Sequence, residues 1–435
     1  MRKPLRAIAL LSFFITALAT ADTPPALTWS FTAPSALGGT GEDWLYGVAA
    51  RKDGSYVVCG YTELPGKPNR SALVALVSGA KKLSHEQTFG GDKGEATLFD
   101  ITETASAYIA VGKSNEQLTI ARIPKSAPFA VSWTVFPPQT LGLPAGAKVE
   151  GHSVRRARGD GVVIAGFRTI DDHTAALVVR LDPSLKPVKS FGNGGAVTLG
   201  AAVGAEARSV RSDGSGYIVA GSASSSGEID GDTDIWVARI DRFGALSWSR
   251  TFEKAQLSGF KAPPRKSLCT SQPAVTDNEA AAAAEPLPDG GYLVAIHVNV
   301  VAEWDPPGCS AVISPSYVDV DAGLLKLGPS GKPQWSRFVH RFSGIDFATP
   351  FLLHDGGVTM IGNDGTSGTK VRVAAVHTDL AGKPLWLDTF LIAGDRNDCT
   401  FGLAATPDGG VVVAGNNDLH CEDYFLMKLG PAKKE

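Results

Sequence analysis

Several features that mark other protein classes are scarce in this sequence. Its 435 residues carry 41 basic and 44 acidic side chains, so no excess of positive charge favours a nucleic-acid partner. No apolar run beyond the N-terminus approaches the roughly twenty residues of a membrane-spanning helix. Helical periodicity is nearly absent as well, and residues 280–284 form the one helix-like fragment. We therefore expect an all-β chain with no transmembrane span.

The motifs of several enzyme classes are also missing. The sequence has no C-x-x-C-H haem motif, no H-E-x-x-H zinc motif and no G-x-S-x-G nucleophile elbow. Its 8 histidines are scattered without the spacing of metal ligands. His297, close in sequence to Trp304 and Asp305, is the best candidate if the protein is a catalyst. These absences favour a non-catalytic protein without a cofactor.

The N-terminus has the pattern of a secretory signal peptide. Arg2, Lys3 and Arg6 precede a short apolar run, and Ala19-Thr20-Ala21 supplies an A-x-A cleavage site. No cysteine follows that site, which argues against a lipid anchor there. We predict cleavage after Ala21 and a mature protein, residues 22–435, in the periplasm or outside the cell.

A short glycine-rich pattern recurs seven times along the chain. Each copy has a tight turn, often Asp-Gly, followed by a β-branched run typical of a strand buried on both faces. The copies lie at residues 53–60, 105–112, 159–166, 213–221, 289–296, 355–362 and 408–415.

Each copy has room for four strands. One strand precedes the turn, a second follows it, and a third and fourth come after a variable loop, as in residues 235–240 and 245–248. Four antiparallel strands in about fifty residues is the unit of a propeller blade. The last copy ends after its third strand, at residues 424–429, whereas residues 27–32 form an unassigned strand at the N-terminus. We predict a single seven-bladed β-propeller in which the N-terminal strand completes the last blade.

This pattern resembles the bacterial Gly-rich β-propeller repeat proteins. The fourth copy matches their blade best, with Tyr-Ile-Val-Ala-Gly at residues 217–221 and Ile-Trp-Val-Ala-Arg-Ile-Asp at residues 235–241. The resemblance covers nearly the whole mature chain and implies the fold. It implies little about function, because such folds carry unrelated activities.

Loop lengths predict which face is functional. Turns between strands one and two and between strands three and four share one face, and nearly all are short. The long connections lie on the opposite, loop-rich face, where we expect function to concentrate. The fifth blade has two expanded connections, at residues 253–278 and 297–320.

Four of the five cysteines lie in or beside the connections of the loop-rich face. We predict disulfides between Cys269 and Cys309 in the fifth blade and between Cys399 and Cys421 in the seventh. Cys59 occupies the slot that alanine fills in other copies, which predicts a buried free thiol. The two expanded loops would form a ledge over the channel mouth, with a binding set that comprises Trp304, Asp305, Tyr317, His297, Lys261 and Arg265. The alternative is an inherited insertion without a binding role.

Carboxylates recur near the start of each first strand. Seven of them, Asp43, Glu95, Glu150, Glu206, Glu279, Asp346 and Asp398, are predicted to surround the channel mouth. Such a ring can hold a cation or a basic group, whereas a repeated residue more often serves the blade itself. Asp230, Asp232 and Asp234 alternate as in some calcium loops, but the later bidentate glutamate is missing.

Three functional hypotheses follow. The first is an exported, monomeric, non-catalytic propeller whose loop-rich face binds a protein partner or a surface glycan. The alternative is a propeller hydrolase, lyase or lactonase that uses carboxylates at the channel mouth, with calcium as its one candidate cofactor. A purely structural envelope scaffold is a third possibility.

Overall fold

A computed structural model describes residues 24–33, 42–79, 82–126, 129–200, 204–224, 233–253, 256–258, 275–302, 317–338, 345–346, 351–364, 372–390, 398–417 and 423–431. Regular structure in these ranges is β-strand, apart from short 3₁₀ turns such as Pro138–Leu141 and Arg158–Asp160. The predicted signal peptide lies outside the described residues. None of the helical segments described is both long and apolar enough to cross a membrane.

The strands follow one another in groups of four. The first fifteen are β1 (Leu27–Ala33), β2 (Asp43–Ala50), β3 (Tyr56–Thr62), β4 (Ser71–Val77), β5 (Leu83–Phe89), β6 (Ala96–Glu103), β7 (Ala107–Ser114), β8 (Gln117–Pro124), β9 (Ser132–Phe136), β10 (Lys148–Arg156), β11 (Val162–Ile170), β12 (His173–Leu181), β13 (Ala196–Leu199), β14 (Gly204–Ser212) and β15 (Gly216–Ser224). The others are β16 (Thr233–Asp241), β17 (Leu246–Phe252), β18 (Val275–Pro286), β19 (Tyr292–Ala302), β20 (Tyr317–Leu327), β21 (Pro333–Phe338), β22 (Ile345–Asp346), β23 (Phe351–His354), β24 (Gly357–Asp364), β25 (Arg372–Asp379), β26 (Pro384–Phe390), β27 (Asp398–Ala405), β28 (Val411–Asn417) and β29 (Asp423–Leu429).

These strands form the seven blades of a β-propeller, as predicted. Blades one to five are the antiparallel groups β2–β5, β6–β9, β10–β13, β14–β17 and β18–β21, and a single parallel bridge, Thr233 to Asn278, joins blades four and five. In blade six, β22 and β23 both pair with β24, so the innermost strand is in two pieces. Blade seven contains β27, β28 and β29.

The N-terminal strand closes the ring, which confirms the second part of the fold prediction. β1 pairs antiparallel with β29, with Trp29 opposite Lys428 and Phe31 opposite Leu426. The fourth strand of blade seven therefore comes from the other end of the chain. This pairing covers the backbone edge that β29 would otherwise expose.

The core lies between the blades. Seven hydrophobic clusters each combine buried side chains from two neighbouring blades, one cluster for every contact in the ring. Every residue of β3 and of β15 is buried, as expected for a second strand that is covered on both faces. Cys59 belongs to the cluster between blades one and two and is a buried free thiol, as predicted.

The Asp-Gly turn joins the first and second strands of a blade, and its aspartate also bonds to the third strand. In blade four, Asp213 accepts the N–H of Gly216 at 2.6 Å and the Nε–H of Arg239, from β16, at 2.7 Å. Lys326 and Lys428 donate in the same way to Asp289 and Asp408 in blades five and seven. The repeated aspartate therefore caps its own turn and pairs with a cation on the third strand.

Three sequence expectations need correction. Residues 280–284 lie within β18 and are strand rather than helix, since the alanines pair with β19. The predicted expanded loops of blade five are shorter, because β18, β19 and β20 extend into them by up to six residues. Finally, not all long connections lie on the predicted face. The connection between β12 and β13, the third and fourth strands of blade three, spans residues 182–195.

A β-bulge recurs in the innermost strand. In six blades the register with the second strand shifts at one residue, namely Tyr46, Phe99, His152, Arg208, Ala282 or Phe401. The equivalent part of blade six falls in residues 347–350, outside the described ranges. Close approach of the strands accompanies the bulge, since a Cβ on Gly60 would lie 1.7 Å from the carbonyl oxygen of Trp44.

Candidate functional site: the axial channel and its aromatic mouth

The seven innermost strands surround an axial channel with a volume of about 540 Å³. Its lining runs from the bulge residues, near the start of these strands, to Ala50, Glu103 and Ala405 near their ends. Because each innermost strand begins after a connection from the previous blade, the bulges lie at the end of the channel nearer the loop-rich face. The channel therefore has a mouth on that face, which the bulge residues shape.

Four bulge residues form a continuous aromatic series at this mouth, which we call the aromatic arc: Phe401, Tyr46, Phe99 and His152, from blades seven, one, two and three. The ring of Tyr46 lies 5.0 Å from Phe401 and 5.3 Å from Phe99, centroid to centroid. Phe99 and His152 stack in parallel at 4.5 Å. All four side chains are partly accessible. The bulge at the same place in each blade brings these rings together.

Two aromatic residues of blade one extend the arc. Trp44 stacks on Phe401 at 5.0 Å and on Tyr61 at 5.9 Å. Its indole Nε1 is buried and has no hydrogen-bond partner among the described residues. Tyr61 is covered by the guanidinium of Arg70, 4.5 Å above its ring. The half-buried Trp44 therefore widens the aromatic surface at the mouth, and the buried ring of Tyr61 packs behind it.

Charged side chains lie beside the aromatic arc at the channel mouth. Lys113 Nζ lies 2.8 Å from Glu150 Oε1, and His152 Nε2 lies 3.4 Å from Glu150 Oε2. Burial favours the neutral form of Glu150, but the hydrogen bonds from His152 and Lys113 outweigh it and keep the carboxyl pKa below its usual value. The exposed bulge residue Arg208 pairs with Glu206 at 3.1 Å.

Deeper in the channel, three neighbouring blades place charged residues at one level. Arg155, Arg211 and Glu285 each lie three residues beyond the bulge of blades three, four and five. Arg155 pairs with Asp100 of blade two, and Arg211 pairs with Glu285. Ala49 and Ala404 occupy the same level in blades one and seven. One side of the channel is therefore charged and the other side has small apolar residues.

The seven predicted carboxylates do not share one level. Glu150, Glu206 and Asp346 occupy one register position of the innermost strand, whereas Asp43, Glu279 and Asp398 lie one residue earlier. Glu95 precedes β6 and is exposed, whereas Asp43 is fully buried. Successive strand residues point to opposite faces, so Asp43 and Glu150 have different surroundings. The side chains of Glu279, Asp346 and Asp398 are outside the described set.

His297 lies in β19 rather than in a loop, opposite Ala280 and Ala322. Burial, together with the positive charge of Arg208, lowers its pKa to about 4. Its Nδ1 atom is buried without a hydrogen-bond partner in the described part of the chain. His297 is therefore neutral near pH 7.

The remaining predicted site residues are mostly not described. Trp304, Asp305, Lys261, Arg265, Asp230, Asp232, Cys269, Cys309 and Cys421 all lie outside the described ranges. Tyr317 is the first residue of β20, opposite Ala302, and Asp234 lies in β16 opposite Ala223, whereas the side chains of Tyr317 and Cys399 are not described. The ledge, the calcium loop and both disulfides remain predictions. Among the described residues, no three metal-binding side chains come together.

Sequence reasoning did not find the aromatic arc. Each bulge residue lies 13 or 14 positions before the last residue of its repeat, so a signal was present. The residue type at that position varies, with three aromatic residues, one histidine, one arginine and one alanine in the six described bulges. Because no single residue type repeats at the bulge, the position does not form a recognisable sequence motif.

Comparisons with known proteins find similarity at the level of structure alone. No protein-family model and no curated protein sequence matches the chain. The chain is similar to the crystal structure of the WD40 domain of Toxoplasma gondii coronin, with 10% identity, a TM-score of 0.47 and coverage of 95% of this chain and 90% of that one.

Two further solved structures show the same degree of likeness. One is Sqt1 from Chaetomium thermophilum, with 10% identity, a TM-score of 0.48 and coverage of 93% and 97%. The other is the GH93 α-L-arabinofuranosidase of Fusarium graminearum in complex with arabinobiose, with 11% identity, a TM-score of 0.42 and coverage of 94% and 97%.

Proposed function

We propose that this protein is an exported, non-catalytic binding propeller that holds a surface glycan at the mouth of its axial channel. The aromatic arc carries this proposal. Sugar rings have apolar faces that stack on aromatic side chains, and their hydroxyl groups need hydrogen-bond partners beside the stack. The arc offers partly exposed rings from four consecutive blades, with Glu150, Glu206 and Arg208 beside them.

The state of the carboxylates supports binding rather than proton transfer. A general acid that works near neutral pH needs a raised pKa. Glu150 instead has a lowered pKa, and Asp100 and Glu285 are each paired with an arginine. The predicted signal peptide at residues 1–21 supports a location in the periplasm or outside the cell.

A glycan array followed by calorimetry tests the proposal. We expect the mature protein to bind particular oligosaccharides, and Phe99→Leu or Tyr46→Ala to weaken that binding at least about tenfold, equivalent to about 1.4 kcal/mol. Phe243→Ala is the matched control, because Phe243 is an exposed aromatic in the turn between β16 and β17, on the opposite face. Folded arc variants that bind as tightly as the wild type would overturn the assignment of the site.

The predicted ledge defines a separate arm of the same experiment. Trp304→Ala and Tyr317→Ala should weaken binding only if the blade-five loops also touch the glycan. Capture of a protein partner that depends on the ledge residues and not on Phe99 or Tyr46 would favour the protein-binding form of the hypothesis.

A further inference from the structure

Two arginines lie at the same level of the channel, below the aromatic arc. Arg155 of β10 lies opposite Val163, and Arg211 of β14 lies opposite Ile218, which is the same register position in adjacent blades. Both side chains line the axial channel. Water reaches 29% of the Arg155 side chain and 14% of the Arg211 side chain, so both side chains are partly accessible from the channel.

The existing partners leave several donors free. Arg155 uses Nη1 for both Asp100 and the carbonyl oxygen of Val154. Arg211 uses Nε for Glu285 and Nη1 for the carbonyl oxygen of Val210. Nε and Nη2 of Arg155 and Nη2 of Arg211 have no partner among the described residues. A guanidinium presents five N–H donors, so this level of the channel has N–H groups to spare.

Both oxygens of the carboxylate that pairs with Arg155 are already occupied. Asp100 Oδ1 accepts the N–H of Ile101 at 2.8 Å, and Oδ2 accepts the N–H of Val154 at 2.9 Å as well as the Arg155 guanidinium. Asp100 therefore links blade two to blade three through these hydrogen bonds. It accepts no hydrogen bond from the remaining N–H groups of the two arginines.

Electrostatics favour an additional anion beside these arginines. Burial and the nearby charge of Arg211 lower the pKa of Arg155, and the opposite effects of Asp100 and Glu285 do not fully offset them. A ligand carboxylate would offset that repulsion, and its two oxygens match the geometry of a guanidinium. The small residues Ala49 and Ala404 on the opposite wall leave space at this level.

We propose that the channel binds an acidic sugar, with its carboxylate on Arg155 and Arg211 and its rings on the aromatic arc. This inference rests on the proposed function and specifies the ligand class. The three residues from a bulge to an arginine span about 10 Å of strand, which is the length of one to two sugar rings. A glycan chain that ends in a uronic acid spans that distance, with the ring before the uronic acid on the arc and the terminal carboxylate at the arginines.

Calorimetry on the mature protein with a disaccharide that ends in D-glucuronate, and with the same disaccharide ending in D-glucuronamide, tests the inference without any mutation. The two sugars differ only in the charged group, so we expect glucuronate to bind at least tenfold more tightly, with an advantage that shrinks between 0.05 and 0.5 M salt. Equal affinities, or binding of neither sugar, would overturn the inference.

Variants then locate the carboxylate. Arg211→Gln combined with Glu285→Gln removes both charges of one pair, so no unpaired buried carboxylate remains. We expect this variant to lose the preference for glucuronate, whereas Arg250→Gln, at an exposed position of β17, keeps it. A preference that survives in the double variant would place the carboxylate elsewhere and overturn the site.

Failure of the inference can be told apart from failure of the proposed function. If Phe99→Leu weakens glucuronate and glucuronamide equally while the two sugars bind alike, the glycan site stands and the acidic class is wrong. If N-acetylglutamate binds through Arg211 while neither glucuronate nor any glycan of the array binds, the carboxylate site stands, and both the sugar class and the proposed glycan ligand are wrong.

Discussion

The hydroxyl group of Tyr292 donates a hydrogen bond of 3.0 Å to Asp213 Oδ2 across the boundary between blades four and five. Tyr292 begins β19, and Asp213 caps the first hairpin of blade four. The same carboxylate also accepts the Nε–H of Arg239. One aspartate therefore holds its own turn, the third strand of its blade and the next blade.

Removal of this hydroxyl group should weaken the blade contact. We expect Tyr292→Phe to reduce the free energy of unfolding by about 1.5–3 kcal/mol, because the lost hydrogen bond has a charged acceptor. The measurement is the urea midpoint followed by fluorescence. Tyr217→Phe is the matched control, since Tyr217 has no side-chain hydrogen bond in the described structure and should change stability by less than about 0.5 kcal/mol. Equal effects of the two variants would contradict the role of Asp213.

The N-terminal strand provides a second prediction. A chain that begins at residue 34 lacks β1. The backbone of β29, which includes Phe425 and Met427, then becomes an open edge. We expect a lower denaturation midpoint and self-association in size-exclusion chromatography, both reversed in part by a peptide of residues 27–33. A chain that begins at residue 24 keeps β1 and serves as the control. Unchanged stability of the shorter chain would contradict closure by this strand.

His297 predicts a loss of stability in mild acid. Its pKa is about 4 in the folded protein, below the ordinary value of 6.5, so the unfolded chain binds more protons between these values. Stability is therefore complete above pH 6.5 and falls as the pH decreases toward 4, by about 2 kcal/mol at pH 5. Denaturation midpoints at pH 5 and 7 should differ less in His297→Gln. The same difference in both proteins would contradict a neutral buried imidazole.

Gly47 and Cys59 should show energetic coupling. A Cβ on Gly47 would lie 2.7 Å from Cys59 Sγ, so Gly47→Ala should destabilise by about 1–3 kcal/mol through overpacking. Cys59→Ala alone should cost less than about 2 kcal/mol, since alanine fills this slot in other repeats. We expect the double variant to be more stable than the sum of the single changes predicts. Strict additivity would show that the two side chains do not compete for the same space.

The cysteines can be assigned by labelling and peptide mapping. Burial raises the pKa of the Cys59 thiol well above its ordinary value, so maleimide should modify it only after unfolding. Non-reducing peptide maps of the protein purified under oxidising conditions should show Cys269 linked to Cys309 and Cys399 linked to Cys421. Native labelling of any of those four cysteines would contradict the predicted pairs.

The sequence by itself was enough to predict the seven blades and the closing strand. Each Asp-Gly turn fixes where the first hairpin turns, and the β-branched run that follows must be buried on both faces. The third strand that ends near Leu429 lacks a partner, and the strand around Trp29 supplies one. These are local patterns, repeated often enough that one weak copy does not obscure them.

Side-chain environments were less predictable because they depend on register. A shift of one residue moves a strand side chain to the opposite face. Asp43 and Glu150 differ by one residue in their distance from the closing glycine of the repeat, and one is fully buried whereas the other pairs with Lys113 at the mouth. The residue at the bulge itself also varies in type from blade to blade, so the sequence does not mark it.

The tertiary structure also decided which distant residues meet. Phe401 and Tyr46 are neighbours because the ring closes, and Asp100 reaches Arg155 because consecutive blades place their innermost strands side by side. The order of blades follows from the repeats, but the bulge directs the aromatic rings toward one mouth. The sequence determined the frame because turns and buried strands are local, whereas the site formed only when the packed ring set the register and orientation of seven separate strands.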